Sequence, residues 1–158
     1  MDNTSIIGLK EANTQIITEK LNLLLANYSV FYQNTRGAHW NIKGADFFTL
    51  HPKFEELYDA LVLKIDEIAE RILTLGATPK HNYSEYLKIS SIKESKEVSD
   101  GKKCVEQILA SFKIVIDLQR EILEIAGEAG DEGTNSQMSD YIKEQEKDVW
   151  MYNAFLGR

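Results

Sequence analysis

Histidine is scarce in this chain of 158 residues, with three in all, and cysteine is scarcer, with Cys104 alone. A single cysteine excludes an intrachain disulfide and any cysteine-cluster metal site. Cys104 lies within an apolar helical pattern, where a free thiol serves as a small core residue. No stretch approaches the roughly 18 consecutive apolar residues that a membrane span needs, so no passage through a bilayer is expected. The opening MDNTSIIGLKEANTQ has neither the basic start nor the apolar run of an export signal, and a cytoplasmic protein is the expectation. Basic charge is also short. The 18 Lys and Arg face 25 Asp and Glu, and the resulting −7 disfavours nucleic acid as the main partner. Cations fit better, and metal ions are the smallest of these.

The chain is the length of one domain, 1–158, with enough residues to bury a core unaided. Only two prolines and nine glycines interrupt it, and they fall where breaks between helices belong. Ile17, Leu21, Leu24, Tyr28 and Phe31 recur at spacings of three and four, which predicts a first amphipathic helix ending near Gly37. A second runs through Phe54, Leu57, Leu61, Ile65, Ile68, Ile72 and Leu75 and stops at Gly76, with Pro79 close behind. The periodicity weakens over 76–98, where SEYLKI from Ser84 predicts a short helix. Val105, Ile108, Phe112, Val115, Ile122 and Ala126 mark a third helix closed by Gly127; Met138, Ile142, Val149, Tyr152 and Leu156 mark a fourth. Thr134, Asn135 and Ser136 are candidate N-caps for that last helix. Two helical hairpins joined by one long connection define the ferritin-like variant of the four-helix bundle, so an all-α fold of that kind is expected.

Metal sites within a single ferritin-like bundle usually draw on Glu-x-x-His motifs. None is present, because Arg36, Phe48 and Thr78 stand three residues before the histidines. The second helix instead carries His51, Glu55, Asp66 and Glu70, which at about 100° per residue share one stripe roughly 100° wide. The apolar stripe of that helix is centred about 120° away, so the polar one points away from the chain's own core. Tyr58 and Val62 lie between the two, which suggests a covered face, whereas Glu67 and Arg71 read as an exposed i,i+4 pair. Glu55 and Asp66 are about 16 Å apart along a helix, and His51 and Glu70 about 28 Å. No ion in one chain reaches both ends. Antiparallel packing of two second helices about a two-fold axis would bring the His51 and Glu55 end of one against the Asp66 and Glu70 end of the other. His39, leaving the first helix, can join His51. Two imidazoles and three carboxylates suit iron(II), with room for bridging between two ions, and zinc fits the same donors.

With these residues in place the sequence strongly resembles the mini-ferritin family known as Dps, DNA-binding protein from starved cells. The resemblance rests on HWNIKG at 39–44, His51 twelve residues after His39, DEIAER at 66–71 and EKDVWMYNAFLG near the end. It extends over essentially the whole chain. It implies a hollow homo-dodecamer with a ferroxidase centre at each two-fold interface, built from His39, His51 and Glu55 of one chain and Asp66 and Glu70 of the next. Iron(II) would be oxidised there, preferentially by hydrogen peroxide, and the ferric product stored as mineral inside the shell, in protection against oxidative stress. Better-known members carry Asp where this chain has Glu55, which changes the reach toward a second iron position. Trp40 resembles the family tryptophan beside the centre, a quencher of stray oxidant; the alternative is a partly buried aromatic at a helix end. GEAGDEG at 127–133 resembles the segment lining the three-fold pores, making Glu128, Asp131, Glu132 and Asp140 pore candidates, although Ser136 stands where some relatives have an acid. An exposed acidic turn is the other reading. His81 is expected to be a surface residue.

The family name also raises an alternative, a nucleoid-associated DNA-compacting protein with little ferroxidase activity. Direct DNA binding in such relatives commonly uses a basic terminal tail. Here the first fifteen residues hold only Lys10 against Asp2 and Glu11, and Arg158 stands alone at the other end. Twelve chains would carry about −84, so DNA binding is not expected.

Overall fold

A computed structural model describes residues 3–158; Met1 and Asp2, part of the segment read above for a leader or basic arm, lie outside it. Among the described residues there are six helices and no strand: α1 (Asn3–Ile6), α2 (Glu11–Asn41), α3 (Phe47–Thr74), α4 (Tyr83–Ile89), α5 (Gly101–Ala129) and α6 (Glu132–Phe155). The four long helices pair as α2 with α3 and α5 with α6; α2 also packs on α5, and α4 rides on α2. This is the expected bundle, with the short helix in the long connection. The apolar stripes read from the sequence meet in one core, where Tyr28, Phe31, Phe54 and Phe112 are almost wholly enclosed and Phe31 meets Phe112 edge-on at 5.2 Å. Cys104 is buried in that core, and loss of hydration pushes its thiol up to about 11.

Two helices run past the glycines expected to end them. α2 continues through Gly37 to Asn41, which puts His39 in its last turn. α5 continues through Gly127 and stops at Gly130, whose φ of +71° suits a residue without a side chain and lets the Asp131 amide return to the Ala126 carbonyl at 2.8 Å. α6 begins earlier than expected, because its cap is Asp131, which accepts the Thr134 amide at 3.0 Å, and not Thr134, Asn135 or Ser136. α3 begins at Phe47 and absorbs Pro52. A proline lacks only one amide and here falls in the second turn of the helix.

The bundle also holds polar devices that no hydropathy pattern shows. Tyr28 donates to Gln119 at 2.5 Å, Gln119 donates to Gln145 at 2.9 Å and Gln145 donates to Tyr28, a closed ring joining α2, α5 and α6. α3 and α6 make few backbone approaches and are joined by side chains. Lys64, only 7% exposed, reaches both oxygens of Glu144 at 2.9 Å, and Tyr141 donates to Glu67 at 2.5 Å.

The long connection is fastened to α2 by three asparagines. Asn22 accepts the Lys80 amide at 2.7 Å; Asn27 accepts Ser91 and Ile92 amides at 3.0 and 3.1 Å; Asn34 accepts the Ser95 amide at 2.9 Å and donates to the Lys93 carbonyl at 2.8 Å. Ser90 adds its hydroxyl to Asn27 at 3.1 Å. Replacing Asn27, which is 1% exposed, by Ala orphans the Ser91 and Ile92 amides. Urea unfolding of the Asn27→Ala variant is expected to show a loss of roughly 2 kcal/mol, and an unchanged midpoint would contradict this role.

Candidate metal centre

The end of α2 and the start of α3 interlock through their histidines. His39 Nδ1 lies 2.7 Å from the His51 carbonyl oxygen, and His51 Nδ1 lies 2.8 Å from the His39 carbonyl oxygen. The rings stack, with centroids 3.8 Å apart. A carbonyl only accepts, so each Nδ1 must carry the hydrogen, and each neutral ring is left with its lone pair on Nε2. The His39 carbonyl is free to accept because it belongs to the last turn of α2, where carbonyls lack helical partners. Imidazoles that bind metal ordinarily make this kind of bond through the other nitrogen, which fixes the tautomer and the ring direction. The pair therefore fits a metal ion.

Aromatic rings wall the pair. Phe47 stacks on His51 at 4.8 Å, and Tyr58 stands edge-on to His39 at 5.4 Å. His39 is buried and His51 half-buried. Partial desolvation, with the charges of Glu55 and Asp59, raises the Tyr58 phenol above its ordinary range. Glu55 stands one turn beyond His51 and is exposed, as are Asp66 and Glu70 farther along α3. The fold thus brings His39 to His51, with Glu55 next along the helix, and leaves Asp66 and Glu70 as a separate pair. Among the described residues of one chain, no three His, Cys, Asp or Glu gather closely enough to hold a metal. Val62, beside the acidic stripe, is 40% exposed.

Trp40 is 55% exposed, with the Arg36 guanidinium carbon 4.6 Å over its ring. Tyr32, Arg36 and Phe47 were not singled out by the sequence reading, although Tyr32, Arg36 and Trp40 stand four apart and so stack along one helix face.

A family model for the ferritin-like domain matches residues 18–158. A crystal structure of a Dps protein from Vibrio cholerae O1, described as a member of a broad superfamily of ferritin-like diiron-carboxylate proteins, matches with a TM-score of 0.93 and 58% identity, covering 95% of this chain and 94% of its own. A DNA protection during starvation protein from Porphyromonas gingivalis is 45% identical over 153 residues, 97% of this chain and 96% of the relative. The chain belongs to the Dps family. An uncharacterized protein from Haemophilus influenzae is 59% identical to this Dps chain over 154 residues, 98% of the chain and 96% of the relative.

The acidic residues around the start of α6 of this Dps chain divide by exposure. Glu128, Glu132 and Asp140 are exposed, as pore candidates must be. Asp131 is not: it is 2% exposed, with one oxygen 2.5 Å from an Arg71 nitrogen and the other 2.6 Å from the Thr134 hydroxyl. Arg71 also donates to that hydroxyl at 2.9 Å, so it belongs to this turn and not to a surface pair with Glu67. Gly133 leaves the space, since a Cβ there would lie 2.7 Å from the guanidinium. Asp131 is therefore a cap and an ion-pair anchor, withdrawn from any pore. His81 is exposed, as expected.

Two outcomes follow from this geometry. In metal-free protein at pH 8, nitrogen-15 NMR is expected to find both interlocked rings as the Nδ1–H tautomer, and an Nε2–H tautomer in either ring would contradict the reciprocal bonds. Asp131→Ala removes a cap and one member of a largely buried ion pair, so thermal unfolding should reveal a loss of about 3 kcal/mol or more, whereas Asp140→Ala should stay within about 0.5 kcal/mol.

Proposed function

We propose that this Dps chain is a ferroxidase subunit that oxidises iron(II) at centres shared across two-fold interfaces, with hydrogen peroxide as preferred oxidant, and stores the ferric product in a dodecameric shell. The observation that carries this reading is the histidine pair. It presents two Nε2 lone pairs on a rigid frame while Asp66 and Glu70, the other two acids of the proposed ligand set, lie more than two turns beyond Glu55 along the same helix. Half a site at each end of one helix is completed by an antiparallel copy of that helix. The exposed Val62 and half-buried Tyr58 beside the acids support a face that another subunit covers.

Iron(II) is the substrate. His39, His51 and Glu55 would hold it from one side and the partner's carboxylates from the other, and carboxylates that bridge allow two ions together. Each iron(II) gives one electron. Peroxide takes both, its O–O bond breaks, and with two protons it leaves as two waters, so no hydroxyl radical is released. Zinc suits the same donors but has no electron to give, and it would act as a substitute that blocks the reaction. Glu55 extends one methylene farther than an aspartate and sets the reach to the second ion. The chain's negative charge favours iron over duplex DNA as partner.

The test mixes two inactive proteins, His39→Ala with His51→Ala and Asp66→Ala with Glu70→Ala, unfolded and reassembled together. With random pairing about half the dimers are mixed and each keeps one intact site of two, so about a quarter of the peroxide-driven iron oxidation should return. Absence of recovery in assemblies shown to be mixed by native mass spectrometry would rule out the shared site.

A further inference from the structure

The rings that wall the histidine pair continue into an aromatic array that the iron chemistry leaves unused. Tyr58 on α3 is edge-on to His39 at 5.4 Å and edge-on to Tyr32 on α2 at 6.1 Å. Arg36 bridges the next step, its guanidinium carbon 5.2 Å from the Tyr32 ring centre and 4.6 Å from that of Trp40. A cation between two rings on successive turns holds both in place. Trp40 is the exposed end, at 55%, while Tyr32 and Tyr58 are half-buried. Indole and phenol are the protein side chains most open to one-electron oxidation at neutral pH, besides thiols, and an indolyl radical oxidises phenol in preference to the reverse.

We propose that Trp40, Tyr32 and Tyr58 form a one-electron relay that carries an oxidising equivalent from the exposed indole to two phenols, of which Tyr58 stands beside the histidine pair. The relay makes Trp40 the entry point of a path, where the family resemblance implied a lone quencher. The source of its oxidant rests on the ferroxidase reading. A single iron(II) that meets hydrogen peroxide without a second gives one electron, and the O–O bond breaks to hydroxide and hydroxyl radical. That radical takes one electron and one proton from the Trp40 indole and becomes water. The neutral indolyl radical then takes an electron and a proton, the latter through solvent, from Tyr32 or Tyr58, which restores the indole and leaves a phenoxyl radical. A later iron(II), with one proton, returns the phenoxyl to tyrosine, and Tyr58 is the phenol placed where iron would arrive. The net result is the same two-iron, one-peroxide balance, reached one electron at a time.

Pulse radiolysis of the assembled, metal-free protein tests this without iron. The other tryptophan, Trp150, is removed as Trp150→Phe, and azide radicals, which oxidise indole faster than phenol, create the radical on Trp40. The indolyl absorption is expected to decay in a first-order phase independent of protein concentration, with phenoxyl absorption rising at the same rate. Tyr32→Phe with Tyr58→Phe should abolish that phase and leave only slow recombination between molecules, while Tyr83→Phe, at an exposed ring on α4, should not alter it. Phenylalanine keeps both ring packings; if the double variant does not assemble, Tyr32→Phe alone must still slow the phase. An undiminished first-order phase in the Tyr32 and Tyr58 variants, or a phenoxyl rise that persists without those two phenols, would overturn the relay. Loss of iron oxidation with an intact phase would sink the ferroxidase reading alone.

Discussion

Two hydrogen bonds between imidazoles and main-chain carbonyls tie the last turn of α2 to the second turn of α3, and the candidate site depends on them. Each histidine supplies a donor to the other's backbone, so neither ring can turn without breaking the contact that places its partner. The bond also answers a structural need, since α2 ends with carbonyls that no helical amide reaches. Joining the two helices and orienting the two candidate ligand nitrogens are accomplished by the same atoms. Stacking by Phe47 and the edge of Tyr58 then screen the pair on its flanks.

Helix α3 presents three different faces. Its apolar stripe enters the core with Phe54, Leu61 and Ile68; its acidic stripe of Glu55, Asp66 and Glu70 faces outward; Lys64, Glu67 and Arg71 reach toward α6 and the turn before it. Such a division needs a long helix free of breaks. Pro52 is accommodated only because it comes near the start.

The helical stripes were legible because burial imposes a period of 3.6 on the residues that face a core. Helix ends were less so. Gly37 and Gly127 each cost a helix only about 1 kcal/mol relative to Ala, less than the packing of the turns around them contributes. The stop at Gly130 depends on Asp131, and Asp131 is placed by Arg71 from a distant helix, a contact that spacing along the chain cannot announce. For the same reason Asp131 resembled its acidic neighbours in sequence while differing from them in burial and contacts. At the candidate centre, the shared face of His51, Glu55, Asp66 and Glu70 could be computed from helix geometry. The reciprocal bonds could not, because a histidine's affinity for a backbone carbonyl leaves no pattern in the residues around it. The Tyr32, Arg36 and Trp40 spacing was visible but ambiguous until Tyr58 arrived from α3 to join it.

The crossover between the two hairpins bears on the survival of the chain in the presence of proteases. A long, largely non-helical connection is ordinarily where a protease first gains purchase, since cleavage requires a segment to leave the surface and extend. Here the backbone is held at Lys80, at 91–93, at Ser95, at Glu97 through Gln107, and at Ser99 through the Lys43 amide. Helix α4 occupies most of the interval that remains. No run between anchors is long enough to be drawn into a cleft without releasing one of them, so nicking there is coupled to undoing contacts with the bundle, and the chain gains a resistance to digestion that the length of the connection alone would deny it.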